Sequence, residues 1–120
     1  MPTVEMFVPR ELGPKDWGVE LLVAETTHYI GKVMWMKAGH SGPLQFHRKK
    51  DEAFYLFSGK ALLTYHDEFG VERKAELTTG AAVHIPPGAV HRVEAIEDCV
   101  MFEASTPVFE DRVPVEGVPV

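Results

Sequence analysis

Residues 39–59 read GHSGPLQFHRKKDEAFYLFSG. The stretch opens in a loop broken by Gly39, Gly42 and Pro43 and closes on a second break at Ser58-Gly59. Between the breaks, Glu52-Ala53-Phe54-Tyr55-Leu56-Phe57 reads as a strand rich in β-formers. One parity gives Phe54 and Leu56; the other gives Ala53, Tyr55 and Phe57. Gln45 and His47 are two apart, so on an extended segment their side chains point the same way. Glu52 follows a short loop at Lys49-Lys50-Asp51 and begins the next strand, where it can face the same interior. The stretch thus indicates β structure and gathers polar groups on one side of it.

The pattern extends in both directions. Gly59, Gly70, Gly80 and Gly88 follow at spacings of 11, 10 and 8, and short strands punctuated every 8–12 residues or so mark an all-β sandwich or barrel. Strands are expected over 19–26, 29–37, 53–57, 61–66, 81–85, 90–96 and 99–104. Ser58-Gly59 suits a tight hairpin, and His66-Asp67-Glu68-Phe69-Gly70 a longer one with glycine in a left-handed position. Pro86-Pro87-Gly88 cannot continue a strand, because two successive backbone donors are missing. It makes a turn just before His91. No ten-residue stretch shows a capped helical period. One domain is expected over 1–120, with an irregular N-terminal arm over about 1–18, a barrel over about 19–105 and an extended tail over about 106–120.

Composition narrows the function classes. The 120 residues are 45% apolar and 25% charged, with net charge −6, values of a globular chain that can form a core. The longest basic run is Arg48-Lys49-Lys50, so nucleic acid is not an expected partner. No apolar stretch approaches the roughly 20 residues that span a bilayer. The opening Met1-Pro2-Thr3-Val4-Glu5 lacks the pattern of a signal peptide, so a cytoplasmic location is expected. The single cysteine, Cys99, excludes a disulfide within the chain and reads as a small core residue. Several strands are apolar on both faces, as in Tyr29–Met36 and Ala53–Phe57. The second face needs a cover, from the N-terminal arm or, the preferred reading, a second subunit. A homodimer is therefore expected.

The chemistry gathers at two turns. His91 opens a strand after the rigid Pro86-Pro87-Gly88 turn. Two imidazoles, His47 and His91, with the Glu52 carboxylate form a facial set that holds a divalent metal and leaves positions open. Gln45 offers an amide oxygen, either as a fourth ligand or as a hydrogen-bond partner of a metal-bound water. The plain alternative is an internal polar network satisfied by its own hydrogen bonds. His28, His40, His66 and His84 read as structural or surface residues; His40 alone has a possible reach to the barrel mouth. Arg48-Lys49-Lys50 reads as a solvated loop, or as a capture point for an anionic substrate. Arg92 alternates with His91 and should point away from it. Met34, Met36, Phe54, Leu56 and Phe102 are the expected barrel lining.

The two groups, Gly39-x5-Gln45-x-His47-x4-Glu52-x6-Gly59 and Gly80-x5-Pro86-x-Gly88-x2-His91, resemble the two-part motif of the cupin superfamily. The resemblance covers roughly residues 17–105. It implies a double-stranded β-helix, or jelly roll, with a metal inside the barrel held by three histidines and one glutamate. Carried over by position, His47, Glu52 and His91 match ligands, while Gln45 stands where a histidine is usual and Ala95 where an asparagine often ends the second motif. Asp16-Trp17-Gly18 and the run Ile85–Glu94 resemble, more narrowly, small mannose-6-phosphate isomerase-like cupins. The implied cofactor is a divalent transition metal, Fe, Zn, Ni or Mn. The implied function is metal-dependent work on a small polar substrate, by Lewis-acid isomerase or lyase chemistry or as a dioxygenase, or else non-catalytic binding of a small molecule or metal. Isomerisation also requires a general base. Glu52 is taken by the metal, and no second inward carboxylate is evident, so no catalytic residue is assigned.

Overall fold

Eleven strands carry the regular structure of residues 1–115, the part of the chain that this computed structural model describes. They are β1 (Arg10–Glu11), β2 (Gly18–Glu25), β3 (Ile30–Met36), β4 (Gln45–His47), β5 (Glu52–Ser58), β6 (Lys60–His66), β7 (Glu72–Thr78), β8 (Ala82–Ile85), β9 (His91–Ala95), β10 (Cys99–Ser105) and β11 (Arg112–Pro114). Each of the seven expected strands is present, with its ends within one residue of the expected bounds. Two antiparallel sheets result, one in the order β1-β2-β3-β10-β5-β8 and the other β11-β4-β9-β6-β7. The fold is the all-β jelly roll. Among the described residues there is no helix long and apolar enough to cross a membrane.

Strand alternation builds the interior. β5 buries Glu52, Phe54 and Leu56 and exposes Ala53, Tyr55 and Phe57. β10 buries Cys99, Met101, Glu103 and Ser105. Leu56, from one sheet, meets Ala61 and Ala95 from the other, and all three are fully buried. Burying a leucine side chain this way stabilises the fold by about 1.5–3 kcal/mol. Cys99 is buried in the same core, as expected.

Four sequence expectations need correction. Ser58-Gly59 is not a hairpin turn, because β5 and β6 lie in different sheets and the pair carries the chain across. Gly59 has φ +101, and a β-carbon there would strike Asp98 O, so glycine is required at this crossing. Phe102 does not line the barrel; it is outward, while its neighbours Met101 and Glu103 are buried. The parity expected for this strand is off by one position, which moves a side chain to the other face. Strands β1, β7 and β11 are additions to the expected set. β7 reads Glu-Arg-Lys-Ala-Glu-Leu-Thr, an edge strand whose charges guard its open side. β11 lies in the stretch expected to be a tail, yet it pairs with β4 through Arg112↔His47 and Pro114↔Gln45. Gly117 and Pro119, assigned to that tail, lie outside the described residues. The expected hairpin at 66–70 does form between β6 and β7, with Gly70 at φ +76 and Asp67 Oδ1 accepting from Phe69 N and Val71 N.

The outer face of the six-stranded sheet is left bare. Trp35, Tyr55, Phe57 and Phe102 are between 42% and 67% exposed. The N-terminal arm does not cover them.

Candidate metal centre

The site lies between the sheets, where β4, β5 and β9 present His47, Glu52 and His91. All three are buried, 6–7% exposed. β4 and β9 are neighbours through Gln45↔His91, and Gly88 N–H donates to His47 O at 2.8 Å, which fastens the proline turn to β4. Rigid turn and strand pairing thus bring the two motif halves together. His47 Nε2 and His91 Nε2 each lie 3.4 Å from Glu52 Oε1. The rings are 5.7 Å apart, and one ligand atom from each of the three residues lies within 4.8 Å of the others.

The hydrogen bonds on the far side of each ring decide what the near side can do. His91 Nδ1 is 2.9 Å from Ala89 O, and a carbonyl only accepts, so that nitrogen carries the hydrogen. His47 Nδ1 is 3.1 Å from Asp111 Oδ1. Burial raises the Asp111 carboxyl, but bonds from Lys49 N, Lys50 N and His47 outweigh it and hold it below the usual range. It is therefore the acceptor, and His47 Nδ1 donates. Burial also lowers the His47 pKa, with Lys50 and His91 adding to the effect against Glu52 and Asp111, which favours the neutral ring. Its Nε2 lone pair then faces an oxygen of Glu52. Burial would raise Glu52, but His91, Glu103 and Lys50 together hold it well below the ordinary carboxylate range. A lone pair opposed to a carboxylate oxygen calls for a cation between them. Gln45 lines the same cavity, and its buried Oε1 has no hydrogen-bond partner among the described residues. The donor set of imidazole, carboxylate and amide oxygen suits a divalent transition metal.

Behind the triad is a charged interior that the sequence did not reveal. Lys50, expected in a solvated loop, is only 6% exposed. Its Nζ lies 3.0 Å from Glu52 Oε2 and 3.0 Å from Glu103 Oε2. Burial works against the Lys50 ammonium, but Glu103 and Glu52 overcome it and raise its pKa. Lys32 Nζ continues the chain, 4.0 Å from Glu103 Oε2 and 3.8 Å from Glu20 Oε2. Glu103 is pushed up to about 7, by burial first and then by Glu52, against the pull of Lys50 and Lys32. Glu103 is thus a second inward carboxylate, contrary to the expectation that none exists. The off-by-one parity that placed Phe102 inside is the same one that hid it.

A cavity of about 510 Å³ opens over these groups, lined in part by Trp17, Met34, Met36 and Phe54. Its lining includes His40 as well, so the reach to the mouth is real for that histidine. His28 and His84 are exposed, as expected, with His84 Nε2 2.7 Å from Asp51 Oδ1.

Asp111 is the other residue that sequence reasoning missed. Its Oδ2 accepts from Lys49 N at 2.7 Å and Lys50 N at 2.9 Å while Oδ1 holds His47. It orients the ring and the loop that carries Lys50. Replacing Asp111 with Asn should weaken metal binding about 10–100-fold, as is typical for partners of metal-ligating histidines. Competition with a chromophoric chelator measures this, and an unchanged affinity would remove Asp111 from the role.

No protein of curated function is similar in sequence. Solved structures are similar in fold. The capsular polysaccharide assembling protein CapF from Staphylococcus aureus superposes with TM-score 0.79 at 20% identity, covering 92% of this chain and 32% of CapF. KdgF from Halomonas sp. gives TM-score 0.72 at 19% identity over 83% of this chain and 89% of KdgF. Oxalate decarboxylase from Bacillus subtilis gives 0.73 at 21% identity over 89% of this chain and 30% of the enzyme. The chain thus spans about a third of CapF and of oxalate decarboxylase. The cupin domain family matches residues 32–105, β3 to β10, with both motif halves inside the match. This chain belongs to the cupin family.

Proposed function

We propose that the protein is a metal-dependent enzyme that moves a proton on a small polar substrate, with isomerase or lyase chemistry. The observation that carries the reading is the pair of imidazole Nε2 atoms facing one Glu52 oxygen at 3.4 Å beside a second cavity carboxylate, Glu103. His47, Glu52 and His91 would hold a divalent cation, with Gln45 Oε1 as the further donor. When bound, such a cation supplies Lewis-acid polarisation of a carbonyl or hydroxyl oxygen. Glu103 is the group placed to take and return a proton, because it lines the cavity and is not among the ligands. Lys50, between Glu52 and Glu103, keeps the two carboxylates from repelling each other. The apolar wall of Met34, Met36 and Phe54 limits water around the reacting atoms. Solved B. subtilis oxalate decarboxylase, of the same fold, is described with Mn(II) centres.

The test is exchange of substrate carbon-bound hydrogen in D₂O, followed by NMR, with metal-loaded protein and a set of sugars and of 2-oxo and 2-hydroxy acids. Wild type should catalyse exchange on at least one of them. Glu103→Gln should keep its metal and lose about 10²–10⁴-fold in rate. Exchange undiminished in Glu103→Gln contradicts the role of that carboxylate. Metal-loaded wild type that binds a compound of the set and exchanges nothing supports a non-catalytic binding cupin instead.

The exposed aromatic face supports a homodimer. Trp35, Tyr55, Phe57 and Phe102 share the outer side of one sheet, and patches of this kind mark interfaces. Light scattering at micromolar concentration should give twice the chain mass of 13.4 kDa, and Phe57→Glu should shift it toward monomer. A wild-type monomer contradicts the dimer.

A further inference from the structure

The lysines of the cavity pair with its carboxylates and leave two guanidinium groups over. Lys32 and Lys50 are taken up by Glu20, Glu52 and Glu103. Arg92 and Arg112 also line the cavity, and neither has a carboxylate within ion-pair distance among the described residues. The two differ in where the strands place them. Arg92 follows His91 directly in β9 and does not share its strand face, yet it reaches the cavity lining, contrary to the expectation that it points away. Arg112 is the register partner of His47 across β11 and β4. Directly opposed residues share a face, with β-carbons about 4.5–5.5 Å apart. Arg112 therefore stands on the cavity face next to a residue of the triad, and it is solvent-exposed rather than spent on packing.

We infer that Arg112 is the recognition residue for a carboxylate on the substrate, so that the site takes a small organic acid with a carbonyl or hydroxyl beside its carboxylate. This inference rests on the metal-centre reading above. The planar guanidinium presents two parallel donors that match a carboxylate edge. Arg112 opposite His47, with Glu103 in the same cavity lining, puts anion recognition, a metal-holding residue and a proton carrier around one space. Charge favours the same class. Four lining cations, Lys32, Lys50, Arg92 and Arg112, offset four lining carboxylates, Asp16, Glu20, Glu52 and Glu103. A divalent cation on the triad would therefore leave the cavity net positive, which attracts anions.

Calorimetric titration of the metal-loaded protein tests the assignment, with glycolate, lactate, pyruvate and gluconate as acids and their amides as uncharged controls. Metal content is measured first on every variant. Wild type should bind at least one acid of the set more tightly than its amide. Arg112→Gln should retain full metal content, bind that acid about 10–100-fold more weakly, and bind the amide as wild type does. Arg112→Lys should recover only part of the loss, because it lacks the two-pronged geometry. If Arg112→Gln holds metal and keeps the wild-type preference for acid over amide, the carboxylate assignment is overturned while the metal centre stands. The assignment is overturned equally if no acid of the set binds wild type better than its amide. If wild type takes up no metal under any loading condition, the metal-centre reading fails, and this inference fails with it.

Discussion

His47→Ala and His91→Ala should each lose divalent-metal affinity by at least about 100-fold, beyond the 10–100-fold typical of an outer hydrogen-bond partner. Each change removes a neutral imidazole whose Nε2 is aimed at Glu52 Oε1. No neighbouring ring replaces it, since among the described residues one group of His, Cys, Asp and Glu side chains, His47, Glu52 and His91, converges closely enough to hold an ion. The fold should survive. Both rings face the cavity rather than the Leu56–Ala61–Ala95 core, and the circular-dichroism spectrum of each variant should match wild type. Gln45→His gives a second reading from the same assay. With Gln45 Oε1 buried at the site and unpartnered among the described residues, an imidazole there should alter affinity and metal preference. Wild-type metal affinity in both alanine variants would remove the proposed centre.

Lys50→Met should destabilise the metal-free protein by about 3–5 kcal/mol, the usual effect of stripping one partner from a buried charge pair. For a chain of this length that lowers Tm by about 10–25 °C. The single ammonium of Lys50 touches both Glu52 and Glu103 at 3.0 Å, so its removal leaves two buried carboxylates facing each other. Two comparisons separate this from simple loss of packing. Metal loading should reduce the loss, because a cation on Glu52 takes over part of the neutralisation. The double variant Lys50→Met/Glu103→Met should recover part of the stability, since the Lys50–Glu103 pair is replaced whole while Glu52 stays buried without its ammonium. Thermal melts of the three proteins with and without metal read both effects. A Lys50→Met protein as stable as wild type without metal would mean that the ammonium is solvated and the interior network is absent.

What could be read from the sequence depended on how local the signal was. The strands over 52–58 and 60–66 announce themselves through aromatic and aliphatic residues on either side of Gly59, and both lie within one residue of their expected bounds. His47, Glu52 and His91 stand out because strand period and a proline turn orient them without reference to distant residues. Lys50 and Asp111 gave no such signal. Lys50 sits in a basic run that reads as solvated, and one of the two carboxylates that hold it inward, Glu103, lies 53 positions further on. Asp111 lies past the last expected strand, and its role depends on β11 pairing back onto β4. Glu103 was hidden by a parity error of one in β10, where Phe102 and Val100 compete with Met101 for the interior. The hydrophobic pattern of that strand is satisfied on either face, because the outer one is also aromatic. All three depend on contacts between elements far apart in sequence, which period and propensity do not encode.

The most direct test of the central claim is the metal content of the untagged wild-type protein, by elemental analysis as purified and again after loading with Fe(II), Zn(II), Ni(II) and Mn(II) in turn. A centre built from His47, Glu52 and His91 predicts one transition-metal ion per chain in at least one of these states. No ion retained in any of them would contradict it, and would leave the three buried side chains as a hydrogen-bonded polar network.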